Sequence, residues 1–178
     1  MDEAPPRSTA RQSAWIAACA AAALGALYAA VSAYWGAGGT ALLDTIGGTL
    51  EREGRNPTAG LLAIVWTTVA LKLIASATGL LVVAQPPWLT SRQYQVVRGA
   101  AWLAAVVLVL YGGVLTSIGL LVQVDIVHAS AHADHKALQW HAFLWDPWFL
   151  VWGLLLATAL TLTRRRSTDP VRRPAESS

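Results

Sequence analysis

Residues 59–84 read AGLLAIVWTTVALKLIASATGLLVVA, and the stretch carries one charge, Lys72. A helix needs ~20 apolar residues to cross the ~30 Å of bilayer hydrocarbon. This run is long enough and flanked by stops: Asn56-Pro57-Thr58 before it, Pro86-Pro87 after it. Three further runs have the same character, at Ser13–Trp35, Val97–Val122 and Phe143–Leu162. The pattern predicts an all-α polytopic membrane protein, a bundle of four transmembrane helices.

The composition agrees. Charged residues make up 13% of the chain, against ~25% in soluble domains. Outside the four runs too little sequence remains for a separate soluble core. The expected organisation is therefore a disordered arm over residues 1–12, the transmembrane domain over 13–163 and a basic tail over 164–178. The first run exceeds the ~7–15 apolar residues of a signal peptide, which predicts a retained helix. Cys19 is the only cysteine, so no internal disulfide forms.

The formal charge of +3 does not point to nucleic acid, because the basic residues sort by side. Arg7, Arg11, Arg92, Arg98, Arg164, Arg165, Arg166, Arg172 and Arg173 flank one set of span ends. Only Arg52, Arg55 and Lys136 lie in the first and third connections. The positive-inside rule then places both termini in the cytoplasm and the chain in the plasma membrane as a multi-pass protein. Its expected partners are the lipid bilayer and either a second copy of itself or another membrane protein.

Local signals refine the elements. Ala18, Ala22, Gly25 and Ala29 give the first helix a smooth face for close packing. Leu42, Leu43, Ile46 and Leu50, interrupted by Asp44, Glu51 and Glu53, predict a short interfacial helix in the first outer connection, bent at Gly47-Gly48. The third helix is expected to start near Arg98, with Gly112-Gly113 permitting a close approach or a kink. Asp146-Pro147 reads as N-cap and first turn of the fourth helix.

Three groups of residues bear chemistry. Lys72 lies near the bilayer centre, where a charged lysine costs about 2.5–3.5 kcal/mol on insertion scales. Either it marks a ligand or proton path, with Tyr111 at matching depth, or its ammonium is satisfied by hydroxyls and carbonyls. Asp125, His128, His132 and His135 follow spacings of 3, 4 and 3. On an extension of the third helix they would share one face. That set could hold a divalent metal such as Zn²⁺ or respond to pH, or it could be a solvated extension without either role. Asp146 is explained by capping, with a carboxylate at the outer mouth as the alternative. Finally, the nine tryptophans divide. Trp35, Trp88, Trp140 and Trp145 fit interfacial belts, while Trp66, Trp102 and Trp152 are deep enough to line an apolar pocket or simply to pack. Phosphate-binding glycine loops, Gly-x-Ser-x-Gly, paired-cysteine motifs and His-Glu-x-x-His do not occur.

At Tyr34-Trp35-Gly36-Ala37-Gly38-Gly39 and Trp145-Asp146-Pro147-Trp148-Phe149 the chain resembles the small four-helix integral membrane proteins of Actinobacteria that form a domain-of-unknown-function family. The resemblance implies the fold and the membrane location and brings no activity. In that family a His often stands two residues before the Tyr; here the position is Ser32.

Taken together, the residues predict a non-enzymatic module that binds a small apolar ligand, a lipid or a partner helix. Its polar vestibule faces outward with Lys72 at its base. The alternatives are an ion- or proton-coupled transport component using Lys72 and the histidines, and a membrane enzyme with an outer His/Asp metal site.

Overall fold

A computed structural model describes residues 7–124, 126 and 134–164. These form helices α1 (Arg7–Gly36), α2 (Gly48–Arg55), α3 (Ala59–Ala84), α4 (Ser91–Gln123), α5 (His135–Trp140) and α6 (Asp146–Arg164). A 3-10 turn at Leu43–Thr45 precedes α2, and a π-helical turn at His141–Trp145 joins α5 to α6. No strand occurs among the described residues. Four helical runs are long and apolar enough to cross a membrane: Thr9–Gly36, Ala59–Ala84, Ser91–Gln123 and His135–Thr163. Ile64, Leu71, Ile74, Leu103, Leu110 and Val114 project outward from the middle of these runs. In water such a belt would be an aggregation surface; in lipid it is the expected exterior.

The four long runs form an up-down bundle in which α1 packs on α3 and α6, α4 packs on α6, and α3 touches α4 more lightly. Because lipid tails are as apolar as leucine, the hydrophobic effect gives little drive for helix association here. Close packing of small residues supplies it instead. Ala14, Ala17, Ala18 and Ala21 of α1 are buried against Val82 and Val83 of α3 and against Trp152, Leu156, Ala159 and Leu160 of α6. Ala101 and Ala105 bring α4 into the same core. Gly112 lets α4 approach α6 so closely that an added Cβ would stand 2.9 Å from both the Asp146 carbonyl oxygen and the Leu150 Cα. The Gly112-Gly113 pair is thus a close approach.

Three boundaries differ from the sequence reading, each for a local reason. Helix α1 takes in residues 7–12, which composition assigns to the arm. Helix α4 starts at Ser91, not near Arg98, because Thr90 and Gln93 form a reciprocal capping box. The fourth run starts at His135, not at Asp146. Asp134 is its N-cap, accepting from the Lys136 and Ala137 amides at 3.0 and 3.2 Å. Asp146 has helical backbone angles, so the capping role assigned to it does not hold.

The two tightest tests of this packing have opposite signs. Gly112→Val should destabilise the protein by about 1–3 kcal/mol, because the obstacle is backbone that cannot yield. Gly99→Ala, exposed on α4 with nothing near the new methyl, should stabilise it by about 0.5–1 kcal/mol. Thermal unfolding in detergent reads both.

Candidate functional site

Lys72 emerges from α3 toward α1. Its Nζ donates to Ser32 Oγ at 2.6 Å and sits 4.2 Å from the centroid of the Tyr28 ring. Ser32 is 3% exposed, so this hydroxyl lies inside the protein. A cation over an aromatic face gains more when desolvated, up to about 2 kcal/mol. Among the described residues no carboxylate pairs with Lys72. Ser76 Oγ donates to the Lys72 carbonyl at 2.7 Å, fixing the hydroxyl within its own helix. The ammonium therefore has one hydroxyl and one ring face as partners, with three N–H donors to place.

Tyr28 is the hub of the surrounding wall. Its ring meets Trp145 and Trp148 edge-on, each with centroids 5.7 Å apart, and Phe149 at 4.6 Å. Phe149 in turn meets Tyr111 edge-on at 5.3 Å. Trp148 Nε1 donates to the Leu24 carbonyl at 3.1 Å, locking α6 onto α1. Such edge-on pairs add about 0.5–1.5 kcal/mol each beyond burial.

Pro147 explains how α6 delivers these rings. Lacking an amide hydrogen and crowding the carbonyl four residues back, it cannot continue an α-helical ladder. The chain widens into the π turn at His141–Trp145, where the Asp146 amide donates to the His141 carbonyl. Asp146 is thereby 5% exposed and lies 3.3 Å, through Oδ1, from His141 Nδ1. His141 Nε2 is 3.3 Å from the Ile46 carbonyl. Both ring nitrogens face acceptors. A neutral imidazole can donate to one of them only; the imidazolium donates to both.

The first connection, between α1 and α3, roofs this end. Gly38 (φ 93°) and Gly47 (φ 70°) take left-handed backbone, which turns the chain back over the bundle. Trp145 Nε1 donates to Thr45 Oγ1 at 3.1 Å, both residues being buried, and Thr45 Oγ1 donates to the Leu42 carbonyl at 2.6 Å. Trp35 Nε1 donates to the Ala41 carbonyl at 2.8 Å. Asp44 pairs with Lys136, whose hydrogen bond holds the Asp44 carboxyl below its ordinary pKa. The short helix expected here is divided at Gly47-Gly48 into the 3-10 turn at Leu43–Thr45 and α2, which keeps only Leu50 of the four apolar residues.

Of the residues singled out in the sequence, Lys72 and Tyr111 fall in this region. They are joined through Tyr28 and Phe149 rather than in contact, and Tyr111 is half exposed. Trp66 lies against Gly36 at the C-terminal end of α1, about half exposed. Trp102 packs on the core cluster in the other half of the bundle, so the two tryptophans do not share a wall. Asp125, His128 and His132 lie outside the described residues. His135 stands at the start of α5, and α4 ends at Gln123. Among the described residues no three His, Cys, Asp or Glu side chains converge on a metal position. Sequence reasoning missed Ser32, Tyr28 and His141 as members of the site. Ser32 and Tyr28 sit one turn apart on α1, a spacing visible beforehand, but nothing local shows that Lys72 faces them.

If Trp145 holds the roof, Trp145→Phe should free the Thr45 hydroxyl and raise amide hydrogen exchange around residues 43–46 about tenfold, the equivalent of one hydrogen bond. Exchange within α1 and α3 should stay unchanged.

No curated protein and no solved structure matches this chain. One family model does, described as "Protein of unknown function (DUF3995)", over residues 24–156. That span runs from the start of the Tyr28 wall on α1 through the π turn and most of α6. The chain belongs to the DUF3995 family of proteins of unknown function.

Proposed function

We propose that this protein is a non-enzymatic ligand-binding module of the plasma membrane, with both termini cytoplasmic and the Lys72 site opening toward the outer face. The ligand is a small apolar molecule or lipid carrying a hydrogen-bond acceptor. The observation that carries this reading is the Lys72 ammonium, near mid-span, with one hydroxyl and one aromatic face as its partners. A purely structural role would favour a full set of acceptors or a carboxylate. The wall of Tyr28, Trp148 and Phe149 suits a flat or hydrocarbon body, and the free capacity of the ammonium suits its acceptor. The orientation rests on the nine arginines that flank the other set of span ends. The Ala-, Arg- and Trp-rich composition fits an actinobacterial host.

A second reading, proton- or ion-coupled transport, draws support from the His141–Asp146 pair between the roof and Tyr28. Four helices are few for a transport path, so that reading requires an oligomer.

Lys72→Met tests the binding role, since it keeps the stem and removes the charge. Organic extracts of purified wild-type protein should contain a stoichiometric apolar compound by mass spectrometry, absent from the variant. The empty variant should be as stable as wild type or more stable by up to about 2–3 kcal/mol, because a buried charge has been removed. Strong destabilisation with no change in bound compounds would make Lys72 structural and remove the reading.

A further inference from the structure

The roof is tied to the bundle through a side chain that can gain a proton. Its 3-10 turn, Leu43–Thr45, runs into Ile46, whose carbonyl oxygen lies 3.3 Å from His141 Nε2. On the other edge of the ring, Nδ1 lies 3.3 Å from Asp146 Oδ1. The imidazole thus bridges the first connection and the π turn. A neutral ring has one N–H. On Nδ1 it answers the carboxylate, and the Nε2 lone pair then opposes the Ile46 oxygen. On Nε2 it answers Ile46, and a lone pair opposes the carboxylate. The His141 side chain is 38% exposed, so protons reach it, while that of Asp146 is 7% exposed. The backbone of the roof needs such ties. Leu42 takes a left-handed conformation (φ 61°) that a residue with a Cβ disfavours. Gly47 seats so closely on α5 that an added Cβ would stand 2.5 Å from Ala137 Cβ.

We propose that His141 is a proton-operated latch, which clamps the roof onto the π turn when the ring carries both protons and releases it when one is lost. Histidine is the side chain that ordinarily changes charge between pH 5 and 8. As pH falls through that range the imidazolium donates to Asp146 and Ile46 at once; as pH rises one of the two contacts loses its proton. The other tie between charged groups here does not switch in this range. Asp44 of the roof pairs with Lys136 of α5, and that hydrogen bond holds the Asp44 carboxyl below its ordinary pKa, so it stays ionised. Asp134 caps α5, and Glu51 of α2 pairs with Arg55. From α1 and α4 the groups that act on Asp146 are the hydroxyls of Tyr28 and Tyr111. The latch has a route inward. Ile46 follows Thr45, whose hydroxyl accepts from Trp145, and the Trp145 ring stands edge-on to Tyr28 under Lys72. The inference concerns the roof itself and is independent of a ligand at Lys72.

The test is amide hydrogen exchange of the full-length protein in nanodiscs at about pH 5.5 and 7.5, read by mass spectrometry as protection factors, which removes the intrinsic pH dependence of exchange. Amides of residues 41–47 should be about five- to tenfold better protected at the lower pH, the effect of one hydrogen bond, while α3 amides change equally little at both. His141→Gln should abolish the difference, because its amide donates regardless of pH. A variant with His128→Gln, His132→Gln and His135→Gln should keep it. Equal protection of the roof at both pH values, or a difference that survives His141→Gln, would overturn the latch. Loss of the difference in the triple variant would move the switch to another histidine and overturn it too. Should His141→Gln not fold, ring ¹⁵N spectra of wild-type protein carry the test: the His141 ring must gain its second proton over the same pH interval in which the roof tightens, and a ring in one protonation state throughout would overturn the proposal.

Discussion

An amine near the centre of a hydrocarbon slab cannot be hydrated, so the protein around Lys72 must do what water would. The insertion cost of about 2.5–3.5 kcal/mol is offset here by a buried hydroxyl and a ring face, both supplied by α1. That choice propagates. Tyr28 must stay under the ammonium, and it is held by three rings from α5–α6. Those rings are held in turn by the Leu24 carbonyl and by Thr45 of the roof. Lys72 thus rests on a network that joins α3, α1, α6 and the first connection.

Pro147 supplies the second condition. A regular α-helix through residues 141–147 would require an amide that proline lacks. The π turn that replaces it shifts the phase of the helix, turning Trp145 toward Thr45 and Asp146 toward His141. Such turns recur at functional sites because they redirect side chains without ending the helix. The regular halves of α1, α3 and α4 are packed with alanine, valine and glycine.

The membrane-spanning helices were legible in the sequence because their signal is local. Hydropathy over about 20 residues needs no tertiary context, and Ala59–Ala84 is recovered to the residue. The start of α4 was legible too, in Thr90-Ser91-Arg92-Gln93, although the first apolar residue is the louder signal. Asp146-Pro147 is a misleading signal: the same pair that opens a helix can interrupt one, and only the helix already running from His135 decides which. The site itself was half visible. Lys72 stands out in any reading of the chain, whereas Ser32 and Tyr28 become its partners only through the register of α1 against α3, set by small residues along the seam.

The chain contains two lysines, Lys72 and Lys136, which makes the central arrangement directly observable. Side-chain ¹⁵N–¹H spectra of ¹⁵N-lysine-labelled protein in nanodiscs should show two distinct signals. One, from the exposed Lys136, exchanges with water. The other, from Lys72, is protected from exchange and shifted upfield by the ring current of Tyr28, and it should move downfield in Tyr28→Leu. Two solvent-exchanging signals, or a Lys72 signal indifferent to Tyr28→Leu, would contradict an ammonium seated between Ser32 and Tyr28.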